Sequence, residues 1–476
     1  MADHRRRASD APQGPLTIQF EGAARQVTGS CHIVRSGTRT VMLDCGLFQG
    51  RRAESRKQNE RLPLAPERLD AVVLSHAHID HAGRLPFLTS RGFRGDIVAT
   101  AATRDLCGLM LRDSAHIQIK DAQFLARRGR EHAEPLYDLD AVDRTMDQMT
   151  GVPLGRATQV LPGWRATFHE AGHILGSASV ALDIETDAGT RRIVFSGDIG
   201  RWGMDIIRDP DPPADADVVI IESTYGDRDH LGTADARARL GEIVRETAAK
   251  GGKVLIPAFA VGRTQELLYD LHILWHEQAI PRIPIYVDSP LAINATAIFE
   301  AHRELFDRGE PMMRAHDNPF DFELASYART VEQSKALNAL KGPAVIIAAS
   351  GMCESGRILH HLAHGAPDPR TTILIVGFQA EHTLGRRIVE RQPTLRILGD
   401  EVPLRARVEV LSGYSAHADR GDLRRWLDAV RARSPRLRDV YLVHGEPPAM
   451  DAFAASLTTA GYRVTCPTPG QRVEVV

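Results

Sequence analysis

The sequence predicts an α/β protein in which a parallel-sheet domain is inserted into a first domain that brackets it. Two observations carry that prediction. Short β-branched runs bounded by turn residues crowd the first half and return near the end, whereas the middle alternates strand, glycine-rich loop and helix. Strand–loop–helix units in series argue for parallel strands joined by crossover helices. A third observation says where chemistry lies: carboxylates and imidazoles stand just past the ends of many of these strands.

The elements follow in order. The chain of 476 residues is long enough for two or three buried cores. Residues 1–15, MADHRRRASDAPQGP, are polar and basic with no apolar stretch behind them, so they read as a disordered tail rather than a secretory signal. Residues 16–226 form the first part of the bracketing domain. They hold TIQFEGAA, RTVMLDCG, DAVVLSHA, GDIVATAA, ASVALDIET, RRIVFSGDIG and ADVVIIEST, each about the length of a buried strand. The stretch from Arg104 to Met149 is rich in Leu, Met, Ala and charge and reads as helical. Residues 227–406 carry four strand–loop–helix units, beginning GGKVLIPAFAVGRTQE, RIPIYVDSPLA, GPAVIIAASGMCESGR and RTTILIVGFQAEHTLGRR. From 407 to 476 the short strands resume in RVEVLSGYSAHAD and RDVYLVHGE, separated by the helix RGDLRRWLDAVRA.

Composition excludes several classes. A formal net charge of −2 gives no global basic field, so a polyanion would have to be met locally, by a metal or clustered Arg. No apolar run approaches the ~18 residues of a membrane span. Five scattered cysteines with no C-x-x-C pair fit free thiols in a reducing cytoplasm. Any metal is then held by His and carboxylates.

The hexad His76-Ala77-His78-Ile79-Asp80-His81 follows an apolar strand and has no packing rationale. In an extended chain His76 and His78 point the same way, while Asp80 and His81 lie one turn on and face a second point. That arrangement suggests two adjacent cations, and four ligands are too few for two. Asp44, Asp198, Glu222 and His444 end other strands, His173 precedes one, and His417 follows RVEVLSGYSA. Polar residues past the carboxyl ends of strands converge on one crevice. Singly, each has a plainer reading: a strand-end Asp is often only a turn former, His173 beside Gly172 a surface ring, His444-Gly445 a turn, and Glu222 a cap. The hexad shifts the weighing, because two ions need the others.

This motif set resembles the metallo-β-lactamase fold. The inserted domain, flanked by Glu222 and His417, is similar to the β-CASP nucleases, among them the prokaryotic β-CASP ribonucleases and the endonuclease subunit of the eukaryotic pre-mRNA cleavage machinery. The resemblance runs from about Leu16 over nearly the whole chain. It implies an αββα metallo-β-lactamase sandwich with an inserted Rossmann-like, parallel-sheet β-CASP domain. It implies two Zn²⁺, with Mn²⁺ as a substitute: His76, His78, His173 and Asp198 hold one, and Asp80, His81, the bridging Asp198 and His444 the other. Asp44 would support the ligands from behind. His444 in LVHGE matches the RNA-cleaving branch, since the DNA-cleaving branch carries an apolar residue there. Two departures from relatives are expected: no N-terminal KH modules, and too few residues after Tyr462 for the C-terminal domain of the larger RNase J enzymes.

The expected activity is therefore hydrolysis of phosphodiester bonds in single-stranded RNA, endonucleolytic or 5′-exonucleolytic, in the cytoplasm, with no membrane partner and with a homodimer admitted. Two ions about 3.5–4 Å apart can activate water and clamp a phosphodiester. The expected catalytic residues are Asp80, Asp198, Glu222 and His417, with His417, hydrogen-bonded to Glu222, donating the proton to the leaving oxygen. Arg263, Ser350, Gly351, Arg357 and His382 sit at glycine turns before helices, where phosphate is held by free N–H groups and guanidinium. The basic stretches FLARRGRE and RRWLDAVRARSPRLRD read as solvated faces. Three rivals keep the fold and change the role: a small-molecule ester or thioester hydrolase, a DNA nuclease of the same superfamily, and a non-catalytic scaffold. The last is disfavoured because every ligand position is filled.

Overall fold

The strand Val218–Glu222, sequence VVIIE, is buried at every position, and its side chains divide between two cores. Val218 and Ile220 belong to one, Val219 and Ile221 to the other, as the two-residue repeat of a strand covered on both faces requires. That division organises the first unit. The computed structural model describes residues 14–50, 52–126, 134–307, 318–377, 379 and 381–476. The tail expected over 1–15 lies outside the described residues except for 14 and 15, as do residues 127–131 of FLARRGRE. The chain divides into two compact units. One is built from the chain up to Trp202, Asp209–Asp229 and His417–Val476, the other from Gly203–Arg208 and His230–Ala416.

The first unit holds two seven-stranded sheets of the same design. One runs Arg472–Glu474, Thr17–Gly22, Cys31–Ser36, Arg39–Leu43, Ala71–Val73, Asp96–Thr100, Met149–Val152. The other runs Val464–Thr465, Asp439–Val443, Val218–Glu222, Gly189–Phe195, Ala178–Thr186, Trp164–Glu170, Thr158–Leu161. Each is antiparallel along one flank and parallel along the other. Their inner faces share one core, in which Ile18, Phe20, Val41 and Val73 of one sheet join Trp164, Phe168, Ile193 and Ile220 of the other. The outer face of the second sheet is covered by the helices Arg420–Ala432 and Pro447–Thr459. In the first of these Leu423, Trp426, Leu427 and Val430 recur at helical spacing and are buried, and Asp419 caps it by accepting from the Asp422 N–H. Ala101–Ala126 and Leu139–Gln148 pack on the first sheet. The layers are α, β, β, α.

The second unit is a six-stranded, all-parallel sheet in the order Ala325–Tyr327, Ile285–Val287, Ala344–Ala348, Lys253–Pro257, Thr372–Ile375, Arg407–Val410. The four expected strand–loop–helix units are all present in it, with helices Arg263–His276, Pro290–Ala301, Ile358–Gly365 and Leu384–Val389. The boundary expected at 406/407 moves. Arg407–Val410 pairs in parallel with Thr372–Ile375 as an edge strand of this sheet, and the chain returns to the first unit only at His417. A four-residue edge strand reads alike in either domain, so composition does not place it. No helix among the described residues is long and apolar enough to cross a membrane.

Candidate metal centre

The parallel flank of each sheet in the first unit delivers strand ends to one side. Arg39–Leu43 and Ala71–Val73 end in Asp44 and the histidine hexad; Gly189–Phe195, Val218–Glu222 and Asp439–Val443 end in Asp198, Glu222 and His444. Within the hexad His78 is extended (φ −60°, ψ 147°) and caps the single helical turn Ile79–Ala82, which carries Asp80 and His81. Asp44 and His444 take left-handed backbone, φ 59° and 49°, conformations costing on the order of 1 kcal/mol or more in a non-glycine residue and concentrated at functional sites.

Close backbone approach brings the loops together. A Cβ on Gly46 would stand 1.6 Å from the Asp80 carbonyl oxygen, so only glycine lets the Asp44 loop lie on the hexad, where Cys45 N–H donates to His81 O at 2.7 Å. A Cβ on Gly200 would stand 1.8 Å from the Gly172 carbonyl oxygen. There Gly200 N–H donates to Ala171 O at 2.7 Å, seating the His173 loop beside Asp198. The same loop is closed by Ser177 Oγ, which accepts from the N–H groups of His173 and Ile174 at 3.1 Å each.

The side chains then converge as two donor sets. In the first, His78 Nδ1 lies 3.2 Å from His76 Nε2 and 3.1 Å from His173 Nε2, while Asp198 Oδ2 lies 3.4 and 3.6 Å from the last two. In the second, His81 Nε2 lies 3.1 Å from His444 Nε2 and 3.2 Å from Asp198 Oδ1, and His444 Nε2 lies 3.4 Å from Asp80 Oδ2. Donors about 2.0–2.1 Å from a tetrahedral ion stand about 3.3–3.4 Å from one another, which is the spacing of both sets. Asp198 joins them, one oxygen in each. Its Oδ1 is buried and accepts no hydrogen bond, with the His81 and His444 rings 3.2 and 3.6 Å away, surroundings in which a carboxylate oxygen is suited to a cation. The donor chemistry fits zinc: imidazole nitrogens, carboxylate oxygens and no thiolate.

Charge is distributed unevenly over these groups. Burial drives His76 well below its ordinary value and His78 down to about 4, so both rings are neutral with lone pairs free. Burial also opposes charge on His81, but Asp198 and Asp44 on either side outweigh it and hold that ring well above its ordinary value. Burial would raise Asp198, yet His444, His81 and His76 around it keep its carboxyl well below the usual range.

Behind the donors, Asp44 accepts from Ser75 N–H at 2.8 Å, from the hydroxyls of Ser75 and Ser30 at 3.0 and 3.1 Å, and from His81 Nδ1 at 2.6 Å. It thereby orients His81 with Nε2 toward the cluster. Ser75 Oγ also meets His76 Nδ1 at 3.0 Å. Neither serine was visible as a site residue in the sequence. Beside the donor sets, His417 Nδ1 lies 3.2 and 3.3 Å from the two oxygens of Glu222, whose Oε1 also accepts from Ile199 N–H at 2.6 Å. Burial opposes the charge of His417, but Glu222 and Asp198 carry it up to about 9. Its side chain is 20 % exposed where that of Glu222 is wholly buried.

The residues expected to bind phosphate lie in the second unit, and two of them are turned to other work. Arg263 is only 5 % exposed; its guanidinium pairs with Glu266 and lies 6.0 Å from the centre of the Tyr414 ring. Arg357 bonds Asp288 at 2.6 Å and the carbonyls of Ala328 and Arg329. An arginine after a glycine turn was expected to face solvent; here internal carboxylates and carbonyls draw both inward. Ser350 is half-buried, with Oγ accepting from Glu354 and Ser355 N–H, Gly351 is buried, and His382 is exposed.

Comparison with known proteins places this geometry. The family model described as the metallo-beta-lactamase superfamily matches residues 24–241, the Beta-Casp domain matches 264–388, and the Zn-dependent metallo-hydrolase RNA specificity domain matches 401–467. Ribonuclease TTHA0252 of Thermus thermophilus is 40% identical over 95% of this chain and 99% of its own length. The transcription termination factor FttA of Methanocaldococcus jannaschii is 32% identical over 90% of this chain and 67% of its own. The endoribonuclease ysh1 of Schizosaccharomyces pombe is 32% identical over 94% of this chain and 57% of its own. The crystal structure of a protein of unknown function from Enterococcus faecalis V583 overlays 97% of this chain with a TM-score of 0.54 at 11% identity, a likeness of fold alone.

Proposed function

We propose that this chain, which belongs to the β-CASP branch of the metallo-β-lactamase superfamily, is a zinc-dependent ribonuclease that cuts phosphodiester bonds of single-stranded RNA. The observation that carries the reading is the pair of adjacent donor groups, His76–His78–His173–Asp198 and Asp80–His81–His444, with Asp198 Oδ1 reaching to 3.2 Å from His81 Nε2 of the second and a histidine–carboxylate pair at their edge. His76, His78, His173 and Asp198 would hold one zinc; Asp80, His81, Asp198 and His444 the other. When bound, zinc supplies Lewis acidity that makes water nucleophilic at neutral pH and neutralises charge developing on the phosphate.

The chain's own groups supply position and protons. Asp44 and Ser75 fix the rings of His81 and His76, so that the donors are arranged before substrate arrives. Glu222 fixes His417 through Nδ1, which leaves Nε2 as the free donor atom. A protonated imidazole so held gives its Nε2 proton to the departing oxygen of the RNA as the ester bond breaks. RNA as substrate is supported by the relatives named as ribonucleases, two of which align over more than nine-tenths of this chain. Ser350, Gly351 and His382 are proposed to meet the RNA backbone, and five free cysteines fit a cytoplasmic setting.

A 5′-labelled linear RNA and a circular RNA of the same sequence, each incubated with and without a chelator, test the reading. Metal-dependent cleavage of the linear strand is expected, and opening of the circle assigns endonucleolytic cutting. Turnover of a thioester or β-lactam reporter with none of RNA would overturn it.

A further inference from the structure

His444 is the one proposed ligand whose ring could serve two masters. It belongs with Asp80 and His81, and also with Asp198, Glu222 and His417, in groups whose donor atoms lie within 4.8 Å. Which group it joins depends on which ring nitrogen carries the proton. Nε2 faces His81 and Asp80 at 3.1 and 3.4 Å. Nδ1 faces Thr224 Oγ1 at 3.1 Å and Asp198 Oδ1 at 3.6 Å.

We propose that Thr224 is a positioning residue that fixes the tautomer of His444 and ties this ligand to the Glu222–His417 pair. The argument is a count of protons. Thr224 Oγ1 has one hydrogen and three neighbours in bonding range: Glu222 Oε2 at 2.6 Å, His444 O at 3.0 Å and His444 Nδ1 at 3.1 Å. The two oxygens can only accept, so the hydroxyl proton goes to one of them. The carboxylate takes it, being the shorter and charge-assisted bond. With that proton committed, Oγ1 can only accept from the imidazole. Nδ1 therefore carries hydrogen, and the lone pair is on Nε2, aimed at Asp80 and His81. The hydroxyl thus chooses the ring's partners. Glu222, receiving Thr224 on Oε2 and His417 Nδ1 on both oxygens, couples the proton donor to the second donor set.

This inference rests on the two-zinc reading, and its test keeps the two apart. Zinc binding by the full chain is measured by chelator competition for the parent, Thr224→Val, Thr224→Ser and His444→Ala. Valine keeps the shape and removes the hydroxyl; serine keeps the hydroxyl. The expected result is two zinc equivalents in the parent, with the weaker-held equivalent loosened by about 10–100-fold in Thr224→Val and lost in His444→Ala. The tighter equivalent should be unchanged in both, and Thr224→Ser should match the parent. If the parent binds two and Thr224→Val holds both as tightly, or if serine fails to rescue a valine variant of unchanged melting temperature, Thr224 does not set the tautomer. A parent that binds fewer than two equivalents instead sinks the two-zinc reading itself.

Discussion

Both units of this chain end parallel strands in clusters of carboxylate and imidazole, and the two clusters settle their charge in opposite ways. In the second unit Asp288 is wholly buried, yet Arg357 donates to one oxygen at 2.6 Å while Ser334 and His361 donate to the other at 2.5 and 2.7 Å. The remaining nitrogen of His361 meets Asn338 Oδ1 at 2.7 Å. Each carboxylate oxygen and each ring nitrogen has its partner. In the first unit, by contrast, His76 Nε2 and His173 Nε2 stand 3.2 and 3.1 Å from His78 Nδ1, burial keeps the His76 and His78 rings neutral, and Asp198 Oδ1 accepts no hydrogen bond. Residue types do not separate the two clusters. What separates them is whether donors and acceptors cancel, because a self-neutralised network holds a fold together while one with surplus lone pairs calls for a cation.

That contrast can be broken in order of expected effect. His417→Ala should lower the rate of RNA cleavage by roughly 10²–10⁴-fold with zinc content unchanged; a parent-like rate would remove the proton-donor role. Asp44→Asn, which weakens the hold on His81, should loosen zinc by about 10–100-fold in a chelator competition, and unchanged affinity would make Asp44 a mere turn residue. In the second unit Asp288→Ala strands the half-buried Arg357 and the buried His361 and should cost about 3–5 kcal/mol, seen as a lower melting temperature. Zinc content should not change, and if zinc is lost instead the two clusters are not different in kind. Arg263→Ala should leave the salt dependence of RNA binding as it was; a slope reduced by about one ion would show that the guanidinium reaches phosphate after all.

The smallest effect is a pH dependence confined to the second unit. Burial, against the opposing pull of Arg237 and Tyr414, raises Asp270 from 3.8 to about 6. The folded chain therefore holds this proton more tightly than the unfolded chain does. The stabilisation is complete below about pH 4 and is lost as pH rises through about 6. The melting temperature of the parent minus that of Asp270→Asn should shrink between about pH 4.5 and pH 6.5. A constant or widening gap would contradict the assignment.

Much of this was legible in the sequence, for physical reasons. Buried parallel strands such as KVLIP and AVIIA are unbroken apolar runs, and the hexad concentrates ligand chemistry that no core needs. Strands such as Trp164–Glu170, which alternates buried and more exposed positions with Arg165 and His169 among the latter, and Cys31–Ser36 carry polar residues within the strand and left no such run. Ser30, Ser75 and Thr224 were missed because hydroxyl residues are too common for any spacing to mark them. The burial of Arg263 was not legible because a sequence shows that an arginine follows a glycine turn, not whether Glu266 and Tyr414 wait beneath it.

The central claim is that Asp198 is shared by two zinc ions on which RNA cleavage depends. Zinc titration of the chelator-stripped chain, followed by cleavage of a 5′-labelled single-stranded RNA, tests it directly. Activity should return only as the second equivalent binds, and Asp198→Asn should recover none at any zinc concentration. Cleavage by the stripped chain, or full recovery in Asp198→Asn, would contradict the account.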